Sequence, residues 1–138
     1  MRTAIDANVF SAIWSCESSA ERVTVQLGEA KMAGSLAISP FVFAELLAYP
    51  RATEAYVRGF LEATGVDLDL RIEDRVWTEA GRRFARYAAR RRQATGQGPR
   101  RLLADFLIGA HALVQADRLL TLDPKVYRQE FPELRLLQ

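Results

Sequence analysis

The chain has 138 residues, of which 49% are hydrophobic and 26% are charged, as in a typical soluble domain with a substantial core. No apolar run approaches the roughly 18 residues needed to cross a bilayer, and a strand-like segment follows Met1 almost at once. The sequence therefore predicts no membrane contact, no signal peptide and a cytoplasmic location. Its single cysteine, Cys16, excludes a disulfide framework and is expected to be a small buried residue.

Apolar runs and turn residues predict alternating strands and helices along the chain. Strands are predicted at residues 3–6, 36–39, 66–70, 119–122 and 134–137. A helical region is predicted at residues 7–32, helices at 40–49, 53–63, 72–92 and 101–115, and a short helical turn at 124–130. Ser39 and Pro40 mark a helix start, because serine caps a helix and proline leaves no N–H unpaired. The alternation predicts a single α/β domain over residues 1–138, with a parallel sheet of about four to five short strands covered by helices on both faces.

Positive charge is concentrated in one part of the chain. Residues 71–101 contain ten arginines and three acids, a net charge of +7, although the whole chain carries only +2. Such a segment is typical of a surface that binds phosphates, and a solvated helix face explains it equally well. Arg100 and Arg101 begin a predicted helix, whose dipole already makes that end positive. An anionic ligand, or an acid elsewhere in the chain, would relieve this conflict.

Negative charges occur at four positions inside otherwise apolar segments. They are Asp6, Glu45, Asp105 and Asp123, called the four acids below. Ionised carboxylates in apolar surroundings are strongly penalised unless they are paired or bind a cation. Asp6 and Asp123 follow predicted strands, where α/β sheets bind ligands, and Glu45 and Asp105 are expected on buried helix faces. The four acids are therefore expected to converge on a hard divalent cation, Mg²⁺ or Mn²⁺; separate structural pairings are the alternative. Asp67 and Asp69, which alternate with apolar residues, are instead expected on the solvent side of a strand.

The segments around the four acids resemble the PIN-domain family, specifically the VapC-type toxins of toxin–antitoxin pairs. The resemblance rests on IDANVF, FAELL, LLADFLIGAHAL and LLTLDPKVYRQEFPELRLL, and it extends over nearly the whole chain. It implies a PIN-like fold. It also implies a ribonuclease that depends on one or two Mg²⁺ or Mn²⁺ ions and hydrolyses RNA phosphodiester bonds through the four acids.

The resemblance and the chemistry of metal-dependent hydrolysis together suggest roles for individual residues. Asp6 and Asp105 are the first choice for direct metal ligands. Glu45 and Asp123 would complete the cluster, bind a second metal or orient water. The neutral side chains expected to hydrogen-bond beside the acids are Asn8 and Thr121. The arginines expected to contact RNA are Arg82, Arg86, Arg90, Arg100 and Arg101.

The resemblance also implies protein partners: a cognate antitoxin and a second copy of the chain in a homodimer. The simplest inhibitor of the acidic site is an Arg or Lys side chain inserted among Asp6, Glu45 and Asp105. Aromatic residues of the N-terminal half would either pack in the core or form a surface for an antitoxin helix or a dimer. They are Phe10, Trp14, Phe41 and Phe43.

Three other interpretations are consistent with parts of the sequence. The start of the chain faintly resembles that of haloacid dehalogenase phosphatases, but Asn8 stands where that class needs a second Asp, and neither Lys31 nor Lys125 has a fitting context. The second interpretation is a catalytically inactive PIN-fold RNA-binding module, and the third is an interaction protein whose acids are structural. Only the nuclease needs Mg²⁺ or Mn²⁺ to cut RNA without a phospho-enzyme.

Overall fold

Five short parallel strands form one sheet in a computed structural model that describes residues 1–137. They are β1 (Arg2–Ile5), β2 (Ser35–Ile38), β3 (Val66–Leu68), β4 (Arg118–Leu120) and β5 (Leu136–Leu137). Their order across the sheet is β3-β2-β1-β4-β5. Every predicted strand is confirmed, with its ends displaced by no more than two residues.

Helices connect the strands and cover the sheet on both faces. They are α1 (Ala7–Trp14), α2 (Ala20–Ala33), α3 (Pro40–Leu46), α4 (Glu54–Thr64), α5 (Asp74–Thr95), α6 (Leu103–Gln115) and α7 (Lys125–Glu130). Crossovers between parallel strands are right-handed, so α1–α4 cover one face of the sheet and α5–α7 cover the other. The contacts agree, since α1 packs on α2, and α6 packs on both α5 and α7. No helix in residues 1–137 is long and apolar enough to span a membrane.

The predicted helix ends are largely confirmed by their capping interactions. The hydroxyl of Ser39 accepts a hydrogen bond from the backbone N–H of Val42 at 3.2 Å, which caps α3. Gly65 ends α4 in the left-handed conformation, with φ of +69°. Gly96 ends α5 in the same way, with φ of +72°. Helix α5 therefore runs three residues beyond its predicted end, because Ala94 and Thr95 do not break it.

The helical region predicted over residues 7–32 consists of two helices separated by a break. The chain leaves α1 after Trp14 and begins α2 only at Ala20. Cys16 lies in this break with φ of +51°, and its side chain is exposed. The expectation that Cys16 is buried is wrong, because it lies in the exposed turn between the two helices.

Asp69 does not face solvent as predicted, although Asp67 does. One carboxylate oxygen of Asp69, Oδ2, lies 2.9 Å from Nε2 of His111 and accepts a hydrogen bond from the amide of Gln115, also at 2.9 Å. The same oxygen is 3.3 Å from the guanidinium of Arg2. Asp69 therefore joins the N-terminus of β1 to helix α6. Burial lowers the pKa of His111 against the opposing effect of Asp69, so the imidazole is neutral at pH 7 and Nε2 donates.

Candidate active site

Asp6 lies at the carboxyl end of the central strand β1, where the chain turns into α1. Its backbone N–H donates to the carbonyl of Leu120 at 2.9 Å, which continues the pairing of β1 with β4. Its side chain caps α1, since Oδ1 accepts the N–H of Ala7 at 2.8 Å. Only 7% of Asp6 is exposed. The carboxylate is therefore held at the edge of the sheet where α/β folds bind ligands, as the sequence predicts.

Three side chains donate hydrogen bonds to the second oxygen of Asp6. The hydroxyls of Thr121 and Tyr127 lie 2.8 and 2.9 Å from Oδ2, and the amide of Asn8 lies 3.4 Å away. Asn8 also donates to the hydroxyl of Thr121 at 3.3 Å and accepts the N–H of Leu122 at 3.1 Å. Asn8 and Thr121 therefore both contact the carboxylate of Asp6, and their role beside a metal ligand stays a prediction.

Sequence reasoning did not assign a role to Tyr127. It lies in α7, after β4, and is 1% exposed. Burial raises the pKa of its hydroxyl, and the charge of Asp6 raises it further, so the group stays protonated and donates. Tyr127 belongs to the TLDPKVY motif, but a single sequence does not distinguish a tyrosine that binds an acid from one that only packs in the core.

Helices α3 and α6 pack on each other and bring two further acids near Asp6. Asp105 lies in the first turn of α6, where the helix dipole favours a negative charge, and it is half-buried. Glu45 lies near the end of the short helix α3 and is exposed. The prediction that Glu45 lies on a buried helix face is wrong: Ala44 and Ala48, which share its face, are exposed as well.

Asp123 is exposed, with 57% of its side chain accessible. It follows β4, and its N–H donates to the hydroxyl of Thr121 at 3.1 Å. The guanidinium of Arg101 lies 3.6 Å from its carboxylate. The conflict predicted for Arg101 at a helix start is thus relieved by an acid of the chain itself. The backbone N–H groups of Arg100 and Arg101 both donate to the hydroxyl of Tyr87, at 3.0 and 2.8 Å, which fixes this loop beside the sheet.

The electrostatics of these acids show that they share one region of negative potential. Burial raises the pKa of Asp6, against its hydrogen bonds, and the charge of Asp123 raises it further. Partial burial raises the pKa of Glu45, and the charges of Asp6 and Asp105 add to this. Burial and the charge of Asp6 likewise raise the pKa of Asp105, which Arg101 partly offsets. Carboxylates that raise one another's pKa form a site that favours a cation.

The donor chemistry of these residues fits a hard divalent cation. Carboxylate oxygens are the ligands that Mg²⁺ and Mn²⁺ prefer. Within residues 1–137, no three His, Cys, Asp or Glu side chains are close enough to enclose an ion by themselves. Mg²⁺ does not require such an enclosure, since it usually keeps several waters and binds one or two carboxylates together with substrate phosphates. An open site with Asp6 and Asp105 as ligands therefore remains a prediction that this chemistry supports.

The arginines expected to bind RNA differ in their surroundings. Arg82 pairs with Glu79 at 2.8 Å, and Arg90 pairs with Glu130 at 2.6 Å. In the part of the chain that the structure describes, the side chains of Arg86 and Arg100 make no ion pair. The row of arginines on α5 is therefore partly neutralised by acids of its own helix and of the C-terminal segment.

Arg83, which belongs to the same basic segment, is a structural residue. It is 5% exposed, binds Glu133 at 2.9 and 3.0 Å, and donates to the carbonyl of Glu130 at 2.7 Å. Its guanidinium also lies 4.7 Å from the centre of the Phe131 ring. The positive charge of Arg83 therefore joins α5 to the C-terminal segment and is not available to a ligand.

Comparison with known proteins identifies the class to which this fold and these acids belong. The sequence profile of the PIN domain matches residues 3–132. The chain therefore belongs to the PIN-domain family.

Solved structures with the same fold include two VapBC complexes. The first is VapBC2 from Rickettsia felis bound to a DNA fragment from their promoter, with a TM-score of 0.67, 21% identity, and coverage of 99% of this chain and 98% of that one. The second is VapBC-1 from nontypeable Haemophilus influenzae, with a TM-score of 0.67, 20% identity, and coverage of 100% and 98%. A toxin–antitoxin complex from Klebsiella pneumoniae is also similar, with a TM-score of 0.55, 17% identity, and coverage of 99% and 96%. No curated protein matches the chain by sequence.

Proposed function

We propose that this PIN-domain protein is an endoribonuclease that depends on Mg²⁺ or Mn²⁺ and acts as the toxin of a type II, VapBC-like toxin–antitoxin pair. The observation that carries the proposal is the arrangement around Asp6. Its carboxylate is fixed at the end of the central strand. Its charge raises the pKa of both Glu45 and Asp105, and the charge of Asp123 adds to the effect of burial in raising the pKa of Asp6. A protein retains such unfavourable charges where a ligand compensates for them.

The proposed reaction is hydrolysis of an RNA phosphodiester bond. A divalent cation, when bound, lowers the pKa of water and stabilises negative charge on the phosphate. Asp6 and Asp105 would hold this ion, and Glu45 and Asp123 would bind a second ion or orient water. Asn8 and Thr121 would keep Asp6 in place through the hydrogen bonds described above.

RNA is the proposed substrate because the acids adjoin a segment of net charge +7. Arg101 lies nearest to the acids, through its contact with Asp123. It would exchange this weak pair for a phosphate oxygen of the substrate. Arg100 and Arg86, which make no ion pair within residues 1–137, would contact the RNA backbone further from the cut, and Arg82 and Arg90 would contribute when their acids release them.

The proposed partner is an antitoxin that restrains the nuclease in the cytoplasm, and the proposed assembly includes a homodimer of this chain. An antitoxin Arg or Lys side chain would bind among Asp6, Glu45 and Asp105 in place of the cation. An apolar groove of about 300 Å³, lined by Phe10, Leu27 and Phe60 among others, supports a helical partner. The exposed ring of Trp77, 5.2 Å from that of Phe41, supports a dimer face on the surface that includes α5.

The test is cleavage of purified cellular RNA by the chain alone and with its genetically neighbouring partner. We expect cutting with Mg²⁺ or Mn²⁺, no cutting in EDTA, recovery when metal is restored, and inhibition by the partner. Cleavage that proceeds in EDTA would contradict the metal-dependent mechanism. A chain that binds RNA but cuts none under any metal condition would instead be the inactive PIN-fold module.

A further inference from the structure

Tyr127 carries a hydroxyl where the packing alone requires only an aromatic ring. The residue is 1% exposed and its ring contacts that of Phe131, with 6.3 Å between the ring centres. A phenylalanine fills the same space without burying a polar atom, and a buried hydroxyl is costly unless it is hydrogen-bonded. Within residues 1–137 the hydroxyl has one such partner, Oδ2 of Asp6, at 2.9 Å. The reason for tyrosine at this position therefore lies in the carboxylate of Asp6.

The two carboxylate oxygens of Asp6 have different numbers of hydrogen-bond donors around them. Oδ2 is within hydrogen-bond distance of three donors, on Thr121, Tyr127 and Asn8. A carboxylate oxygen has about two lone pairs, and the two short bonds from Thr121 and Tyr127 occupy both, whereas the amide of Asn8 is farther, at 3.4 Å, and is shared with the hydroxyl of Thr121. Oδ1 accepts one bond, from the N–H of Ala7 at 2.8 Å. The free lone pair of this carboxylate is therefore on Oδ1.

The donors to Oδ2 come from separate parts of the fold. Thr121 follows β4, and its hydroxyl is itself held by the N–H of Asp123 and the amide of Asn8. Tyr127 comes from α7 and reaches Oδ2 through a buried ring. Two hydroxyls on different elements resist rotation of the carboxylate group better than one does, because both would have to move together.

We propose that Tyr127 is a positioning residue: with Thr121 it restricts Asp6 to binding a metal ion through Oδ1 alone, and it thereby favours Mg²⁺ and Mn²⁺ over Ca²⁺. This inference rests on the proposed metal-dependent function. Mg²⁺ requires near-ideal octahedral geometry, which one-oxygen carboxylate ligands satisfy. Ca²⁺ is larger, accepts more oxygen ligands and binds carboxylates through one or both oxygens. If Oδ2 of Asp6 loses a hydroxyl donor, both oxygens can bind a cation, which should favour Ca²⁺ more than the native arrangement does.

The experiment measures metal binding without RNA in the full-length protein, so its outcome is independent of catalysis. Tyr127→Phe removes only the hydroxyl. Tyr56→Phe is the matched control, because Tyr56 is 49% exposed and its hydroxyl makes no hydrogen bond within residues 1–137. Mn²⁺ binding is followed by electron paramagnetic resonance, and Mg²⁺ and Ca²⁺ are measured as competitors.

We expect Tyr127→Phe to weaken Mn²⁺ and Mg²⁺ binding by about tenfold, as is common when a side chain that supports a metal ligand is removed. Binding of Ca²⁺ should weaken less or improve, so that the preference for Mg²⁺ over Ca²⁺ falls. Tyr56→Phe should match the wild-type protein. If Tyr127→Phe does not fold, Thr121→Val removes the other hydroxyl on Oδ2 and should lower the same preference.

An unchanged preference for Mg²⁺ over Ca²⁺ in the variant would overturn the inference, even if its melting temperature falls, since that combination is what a purely structural hydroxyl gives. That result leaves the proposed nuclease standing, because the wild-type protein still binds metal. Absence of any divalent binding by the wild-type protein would overturn both the inference and the proposed metal-dependent function.

Discussion

The guanidinium of Arg101 lies 3.6 Å from the carboxylate of Asp123, across the carboxyl end of the sheet. This contact joins the loop before α6 to the segment after β4, and it brings a cation of the basic segment to the four acids. A pair at this distance with an exposed acid is weak. It is therefore well suited to give way to a phosphate, which binds arginine through two parallel hydrogen bonds.

The metal-free protein should be stabilised by removing one of the acids. Burial and the charge of Asp6 raise the pKa of Asp105, so its ionised form is less favourable in the folded protein than in the unfolded chain. Asp105→Asn should raise the melting temperature in EDTA by about 3 °C, which corresponds to about 1 kcal/mol for a chain of this size. Glu29→Gln, an exposed acid on α2, should change nothing.

Adding metal should reverse this order of stability. Mg²⁺ at about 100 times its Kd should stabilise the wild-type protein by about 3 kcal/mol, and Asp105→Asn by much less. Thermal melting of the two proteins in EDTA and in Mg²⁺ measures the order of stability without and with the metal. An Asp105→Asn protein that melts below the wild type in EDTA would show that Asp105 is a structural acid.

The loop carrying Arg101 should loosen when the hydroxyl of Tyr87 is removed. That hydroxyl accepts the N–H groups of Arg100 and Arg101. In Tyr87→Phe the ring still packs on Phe106, 5.5 Å away between centres, so the fold should persist. Amide exchange at Arg100 and Arg101 should accelerate about fivefold, the equivalent of about 1 kcal/mol. Exchange rates equal to those of the wild type would mean that the loop is held by other contacts.

Binding of single-stranded RNA should depend on the arginines that have no acidic partner. Replacing Arg86 and Arg100 with Gln in the non-cleaving Asp6→Asn background should reduce the slope of log affinity against log salt by about 0.7 for each phosphate that the protein no longer binds. Arg22→Gln, on α2 across the sheet, should leave the slope unchanged. Equal slopes in all three proteins would show that the basic segment is a solvated surface and does not bind the RNA.

His111 should make the stability depend on pH. Its pKa is lowered by burial, so between its ordinary value of 6.5 and its folded value the unfolded chain takes up a proton that the folded protein does not. Stability therefore decreases as the pH falls from 7 to 5. The lowered pKa of Asp69 acts only below its ordinary value of 3.8, outside this range.

The matched variant for this measurement is His111→Gln, which lacks the titrating group. The unfolding free energies of wild type and variant are measured with urea at several pH values. As the pH falls from 7 to 5, the unfolding free energy of the wild type should decrease relative to that of the variant. A constant difference would show that the folded protein protonates His111 as easily as the unfolded chain does. The four acids are present in both proteins, so their contribution cancels.

Local sequence patterns were sufficient for the sheet because each strand is a short apolar run bounded by turns or caps. They were not sufficient where the tertiary context decides exposure. Helical spacing placed Glu45 on a buried face, but α3 ends at Leu46, and Glu45 is exposed together with Ala44 and Ala48. Alternation placed Asp69 in solvent, but His111, 42 residues away in sequence, packs against it.

The acids of the candidate site were visible in the sequence because a charge inside an apolar segment is unusual at any one position. The residues that hold those acids were less visible. Asn8 and Thr121 came from the family resemblance, whereas the hydroxyl of Tyr127 reaches Asp6 across 121 residues of sequence. Ion pairs such as Arg90 with Glu130 also depend on the packing of α5 against the C-terminal segment, which no local pattern encodes.

The most direct test of the account is RNA cleavage by Asp6→Asn in Mg²⁺, compared with the wild-type protein and with Glu29→Gln under the same conditions. The amide keeps the size of Asp6 and the cap on α1 but removes the charge that would hold the cation. We expect Glu29→Gln to cut RNA as the wild type does, and Asp6→Asn to be folded with cleavage reduced by at least about a thousandfold, about 4 kcal/mol in the barrier. Near-normal cleavage by folded Asp6→Asn would contradict the assignment of this acid to the active site.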